Sequence, residues 1–80
     1  SKRYEDLGDR RRKGVLLIEA GRMARKLDRL DEAERLYLDG LPLLPQGQRS
    51  RAMADLNYSD ILVERGRFGA ARRVLRVVAD

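Results

Sequence analysis

Residues Leu30 to Pro45 read L-D-E-A-E-R-L-Y-L-D-G-L-P-L-L-P, and two features of them set the architecture. Asp31 followed three residues later by Glu34 predicts a capping box that opens a helix, since the side chains can accept from amides that a first helical turn leaves unpaired. Behind it, Ala33, Leu36, Tyr37, Gly40 and Leu41 recur at spacings of three and four, so they share one helical face. That face is small at its ends and large in the middle. It predicts a second helix approaching closely at Ala33 and Gly40, with Tyr37 filling the space between. Pro42 and Pro45 end the helix, because proline lacks an amide hydrogen and disfavours helical geometry in the residue before it.

Working upstream, Leu17, Ala20, Gly21, Ala24 and Leu27 repeat the helical spacing with small residues at the centre. Glycine inside a helix is costly unless a neighbouring backbone needs the room, so Gly21 marks a close contact. Arg25 and Lys26 suit a helix C-terminus, and only a short turn near Asp28 to Leu30 separates this helix from the next. Two helices joined so briefly run antiparallel. Residues 14–45 are therefore expected to form one helical hairpin, preceded at 1–13 by a basic lead-in, helical or frayed.

Downstream, residues 46–49 read as a polar connector and residues 50–80 as a second hairpin. Ser50 is the expected N-cap of a third helix, with Met53, Leu56, Asn57, Ile61 and Leu62 as its stripe and an end near Arg65. Gly66 supplies a terminating position with positive φ, Phe68 is expected to plug the turn, and a fourth helix runs from Gly69 or Ala70 through Ala71, Val74, Leu75 and Val78. Laid on the first half, Arg65 to Ala71 falls on Leu27 to Ala33, at an offset of thirty-eight residues. Leu30 then matches Phe68, Ala33 matches Ala71 and Tyr37 matches Leu75. The expected fold is all-α: about four helices in two stacked antiparallel hairpins, an α-solenoid fragment.

Composition narrows the function. The 80 residues include no cysteine, histidine or tryptophan, one phenylalanine and three tyrosines, so disulfides and zinc sites cannot support the core, and the commonest nucleophile and general base are missing. Neither an enzyme nor a bound cofactor is expected. Glu19 with Asp60 across a groove is the remaining acid–base option. The longest apolar run, Val15 to Ile18, is far too short to span a bilayer, and no signal segment stands out; a cytoplasmic domain without membrane attachment is expected. Lysine and arginine total 18 against 13 acidic residues, a net charge of +5. Arg10 to Lys13, with Arg49, Arg51, Arg72, Arg73 and Arg76, offers a rival reading as a nucleic-acid-binding surface. No glycine-rich phosphate loop, DNA-reading module or basic zipper accompanies it.

In register from Gly14, the first hairpin resembles a tetratricopeptide repeat. Leu17 falls on the first large position, Gly21 on the glycine, Glu32 and Ala33 on the Glu-Ala pair, Tyr37 on the aromatic, Leu41 on the leucine and Pro45 on the closing proline. In the second, Gly66, Phe68 and Ala71 meet the turn pattern, while Ser59 replaces a glycine. Gly40 and Pro42 also depart from the pattern, and the wider repeat spacing resembles the kinesin-light-chain type. The resemblance implies a protein-binding scaffold whose first helices line a concave groove for a peptide or partner helix. The groove would be lined by Ile18, Arg22, Arg25, Lys26, Leu56, Asn57 and Asp60, with Asn57 placed to bind peptide backbone. Its basic wall favours an acidic segment or a terminal carboxylate. Val74, Leu75, Val77 and Val78 leave the fourth helix with an apolar face that seeks cover: either the chain is part of a longer repeat protein or two copies meet there as a homodimer.

Overall fold

A long helix, α1 (Lys2–Lys26), turns back into a short one, α2 (Leu30–Gly40). A 3-10 turn at Leu41–Leu43, with Pro42 inside it, and extended Leu44 lead toward α3 (Arg49–Glu64) and then α4 (Phe68–Ala79). The computed structural model describes the backbone of residues 2–79 and the side chains of residues 6–79; these hold four α-helices and no strand. The basic lead-in is continuous with α1 over its described residues. α1 packs on α2 and α3 on α4, and α2 lies against α3, so the two antiparallel hairpins are stacked.

The hairpin turns are the same structure twice. In the first, the amides of Leu27, Asp28 and Arg29 donate to the carbonyls of Met23, Arg25 and Ala24 at 3.1, 2.9 and 2.8 Å. Thirty-eight residues on, Arg65, Gly66 and Arg67 donate to Ile61, Val63 and Leu62 at 3.0, 2.9 and 2.8 Å. Both place one residue in the left-handed region to satisfy the last carbonyls: Gly66 at φ 77° and Asp28 at φ 60°. Glycine occupies that region freely, whereas Asp28 does so at a cost of about 1–2 kcal/mol.

Small residues bring α1 and α2 into backbone contact. A Cβ at Gly14 would stand 2.8 Å from the Leu43 Cβ and 3.1 Å from the Gly40 carbonyl oxygen. One at Gly21 would meet the Tyr37 ring at 2.7 Å. Tyr37, fully buried, thus lies against bare backbone on one side. On the other it stacks on Tyr58 of α3, ring centroids 6.2 Å apart and planes within 16°. It joins the two hairpins, with Ala33, Ile61 and Leu62 sealed around it.

Several local expectations are corrected. Asp31 and Glu34 form no capping box: the cap of α2 lies two residues earlier, at Arg29, with no side-chain cap bond, and both carboxylates are taken by Arg65 from the second hairpin. Gln48, not Ser50, stands at the cap position of α3, with no side-chain cap bond. The buried stripe of α3 is Ala54, Tyr58, Ser59, Ile61 and Leu62, while Met53 and Leu56 are exposed. Phe68 opens α4 and is 66% exposed rather than plugging the turn. Ala20 and Leu27 face out, although Gly21 and Ala24 beside them are buried.

Candidate functional site

The stacking of two hairpins creates a hollow of about 340 Å³ between α1 and α3, lined by Arg22, Arg25 and Lys26 from α1, Asn57 from α3 and Tyr37 from α2. Spacings of three and four put the three cations on one side of α1, and the close packing permitted by Gly21 sets Tyr37 behind them. Each cation is held differently. Arg25 crosses to the second hairpin, where its Nε donates to Glu64 Oε1 at 3.1 Å. Arg22 lies 3.3 Å from Glu19 on its own helix. Lys26 has no carboxylate partner among the described residues.

Burial pushes the Tyr37 hydroxyl above its ordinary value of 10.0, although the charges of Arg22 and Arg25 pull the other way. The phenol is therefore neutral near pH 7; the residue is fully buried, and its hydroxyl sits against the Asn57 carboxamide rather than open to the hollow. Cations and an amide around one hollow are the chemistry of anion recognition, with carboxylates the natural fit for guanidinium and ammonium groups.

The remaining expected groove residues lie elsewhere. Ile18 is 7% exposed and belongs to the core, since its side chain packs where α2 passes at Gly40. Leu56 and Asp60 are exposed on α3 but do not line the hollow. Glu19 is engaged by Arg22. The four residues expected to make one apolar face on α4 divide: Val74 and Val78 are half-buried, whereas Leu75 and Val77 are exposed. With Leu38, Leu41, Pro42 and Tyr58, Val74 and Val77 line a second groove of about 340 Å³ between α2 and α4.

Two features escaped the sequence reading. The first is a charge cluster that pins the hairpins together. Arg65 Nη1 donates to Glu34 Oε2 at 2.7 Å, and Arg65 Nη2 lies 2.5 Å from Asp31 Oδ1. Arg67 Nη1 stands 3.0 Å from Glu34 Oε1, near enough for an ion pair but not aligned for a hydrogen bond. The second is Tyr58, whose spacing from Ala54, Ile61 and Leu62 was a readable signal of one buried face.

No described helix is long and apolar enough to cross a membrane. Compared with known protein families, curated proteins and solved structures, the chain matches none of them.

Proposed function

We propose that this chain is a cytoplasmic protein-interaction scaffold of tetratricopeptide-repeat type, not an enzyme, and that it takes an acidic peptide end in the hollow between α1 and α3. The convergence of Arg22, Arg25, Lys26, Asn57 and Tyr37 on one cavity carries the reading. A terminal carboxylate would meet Lys26 first, because that ammonium is uncommitted, and Asn57 would pair with the peptide backbone. Arg22 is held only by an exposed contact to Glu19, of a kind worth little in water, so it is free to turn toward the ligand.

Fluorescence anisotropy with a labelled glutamate-rich peptide tests the reading, comparing the free C-terminal acid with its amide. The free acid should bind more tightly, and Asn57→Ala and Lys26→Ala should each weaken it about tenfold, the loss of one charge-assisted or well-placed hydrogen bond. Equal binding of acid and amide, with both variants at wild-type affinity, would reject the site. Displacement of the peptide by unrelated DNA sequences with a steep salt dependence would favour the nucleic-acid reading. That reading has lost one member, since Arg51 is half-buried, paired with Asp55 and donating to the Leu44 carbonyl at 3.1 Å.

A further inference from the structure

The thirty-eight-residue offset relates not only two sequences but two environments. Three positions that serve packing inside a hairpin are buried alike in both copies, Gly21 with Ser59, Ala24 with Leu62 and Ala33 with Ala71, although buried Ile18 is matched by exposed Leu56. Positions that serve the contact between hairpins are buried in one copy and bare in the other. On the side where α3 receives α2, Ala54 is 3% and Ile61 0% exposed, while their counterparts on α1, Leu16 and Met23, are 68% and 56% exposed. On the side that α2 presents, Tyr37 is 0% exposed and its counterpart on α4, Leu75, is 42% exposed. Leu16, Met23 and Leu75 are thus apolar and bare where their counterparts are covered, and the Tyr37–Tyr58 stack is matched by Leu75 and the exposed Ala20.

We infer that the bare face of α4 in one molecule receives the bare face of α1 in a second copy, in the register by which α2 receives α3. This goes beyond the peptide reading and does not rest on it. It also replaces a symmetric dimer through α4, because the complement of α4 lies on α1 rather than on α4 itself. Such a contact uses different surfaces on its two partners and leaves one of each free, so a third copy can add to a pair. Its charge pattern differs from the internal one. Glu34 and Arg65 are replaced by Arg72 and Leu27, and Arg29 stands where Arg67 does. The end-to-end contact therefore loses the ion pairs and keeps a like-charge pair, Arg72 and Arg29, where Arg67 and Glu34 lie 3.0 Å apart in the internal contact.

Sedimentation over a concentration series tests this. The wild-type average mass should climb past that of two chains without levelling there. Met23→Glu and Leu75→Glu, both at exposed positions, should each be monomeric alone, while an equal mixture should give a one-to-one dimer and nothing larger; recovery of that dimer also establishes that both variants fold. Arg72→Glu, which restores the carboxylate opposite Arg29, should tighten the association several-fold. A wild-type monomer at the highest concentration, a dimer of Met23→Glu alone, no dimer in the mixture of folded variants, or no gain from Arg72→Glu would each overturn the inference.

Discussion

Gly21 is where one residue decides whether the hairpin closes. Adding a methyl there places carbon 2.7 Å from a Tyr37 ring that is itself held against Tyr58, so relief requires moving both hairpins. Gly21→Ala should lower stability by about 1–3 kcal/mol despite the better helix propensity of alanine. Gly8, in the same helix, meets nothing nearer than the Arg12 Nη2 at 3.9 Å. Gly8→Ala should raise stability by about 0.5–1 kcal/mol, and paired thermal melts of the two variants measure the contrast. The sequence made Gly21 legible because a glycine among helical spacings needs a reason. It hid Asp28, whose left-handed backbone is visible only as a turn of the right length.

At the scale of the element, α2 does most of the joining, and its acidic first turn was misread for an instructive reason. A carboxylate three residues after another is a helix-cap signature when nothing competes for it, yet here Arg65 lies thirty-one residues downstream of Glu34 and binds both carboxylates. Local spacing carries no information about that partner until the hairpins are stacked. Glu34 is nearly buried and Arg65 about a quarter exposed, so Glu34→Ala should cost about 1–3 kcal/mol, as for a hydrogen bond to a charged group, read as a shift in the urea midpoint. The tyrosines set a second condition. Burial raises the hydroxyls of Tyr37 and Tyr58 above their ordinary value of 10.0, the Glu34 charge adding to the effect at Tyr58. The folded chain therefore holds these protons more tightly than the unfolded one. The stability they contribute is whole below pH 10 and falls as pH climbs past it toward the raised folded values. Urea midpoints across that range should decline, and Tyr37→Phe should flatten the decline.

For the whole molecule, the backbone spans 44 × 31 × 15 Å, a flat stack in which each hairpin has one neighbour. Stability in such a stack is a sum of hairpin and interface contributions, and the single interface here holds Tyr37, Tyr58, the Glu34 cluster and the Arg25–Glu64 pair. Helix number, antiparallel pairing and the offset were legible because they follow from spacing, proline and glycine. Ile18 was misplaced, and Tyr58 passed over, because the face a helix turns inward depends on where the second hairpin sits. The hollow of Arg22, Arg25, Lys26 and Asn57 could be anticipated only after the two hairpins were aligned. Nuclear Overhauser contacts from the Tyr37 ring test the stacking most directly. Cross-peaks to both the Gly21 α-protons and the Tyr58 ring are expected; a contact to Gly21 with none to Tyr58 would mean that the hairpins form but do not stack.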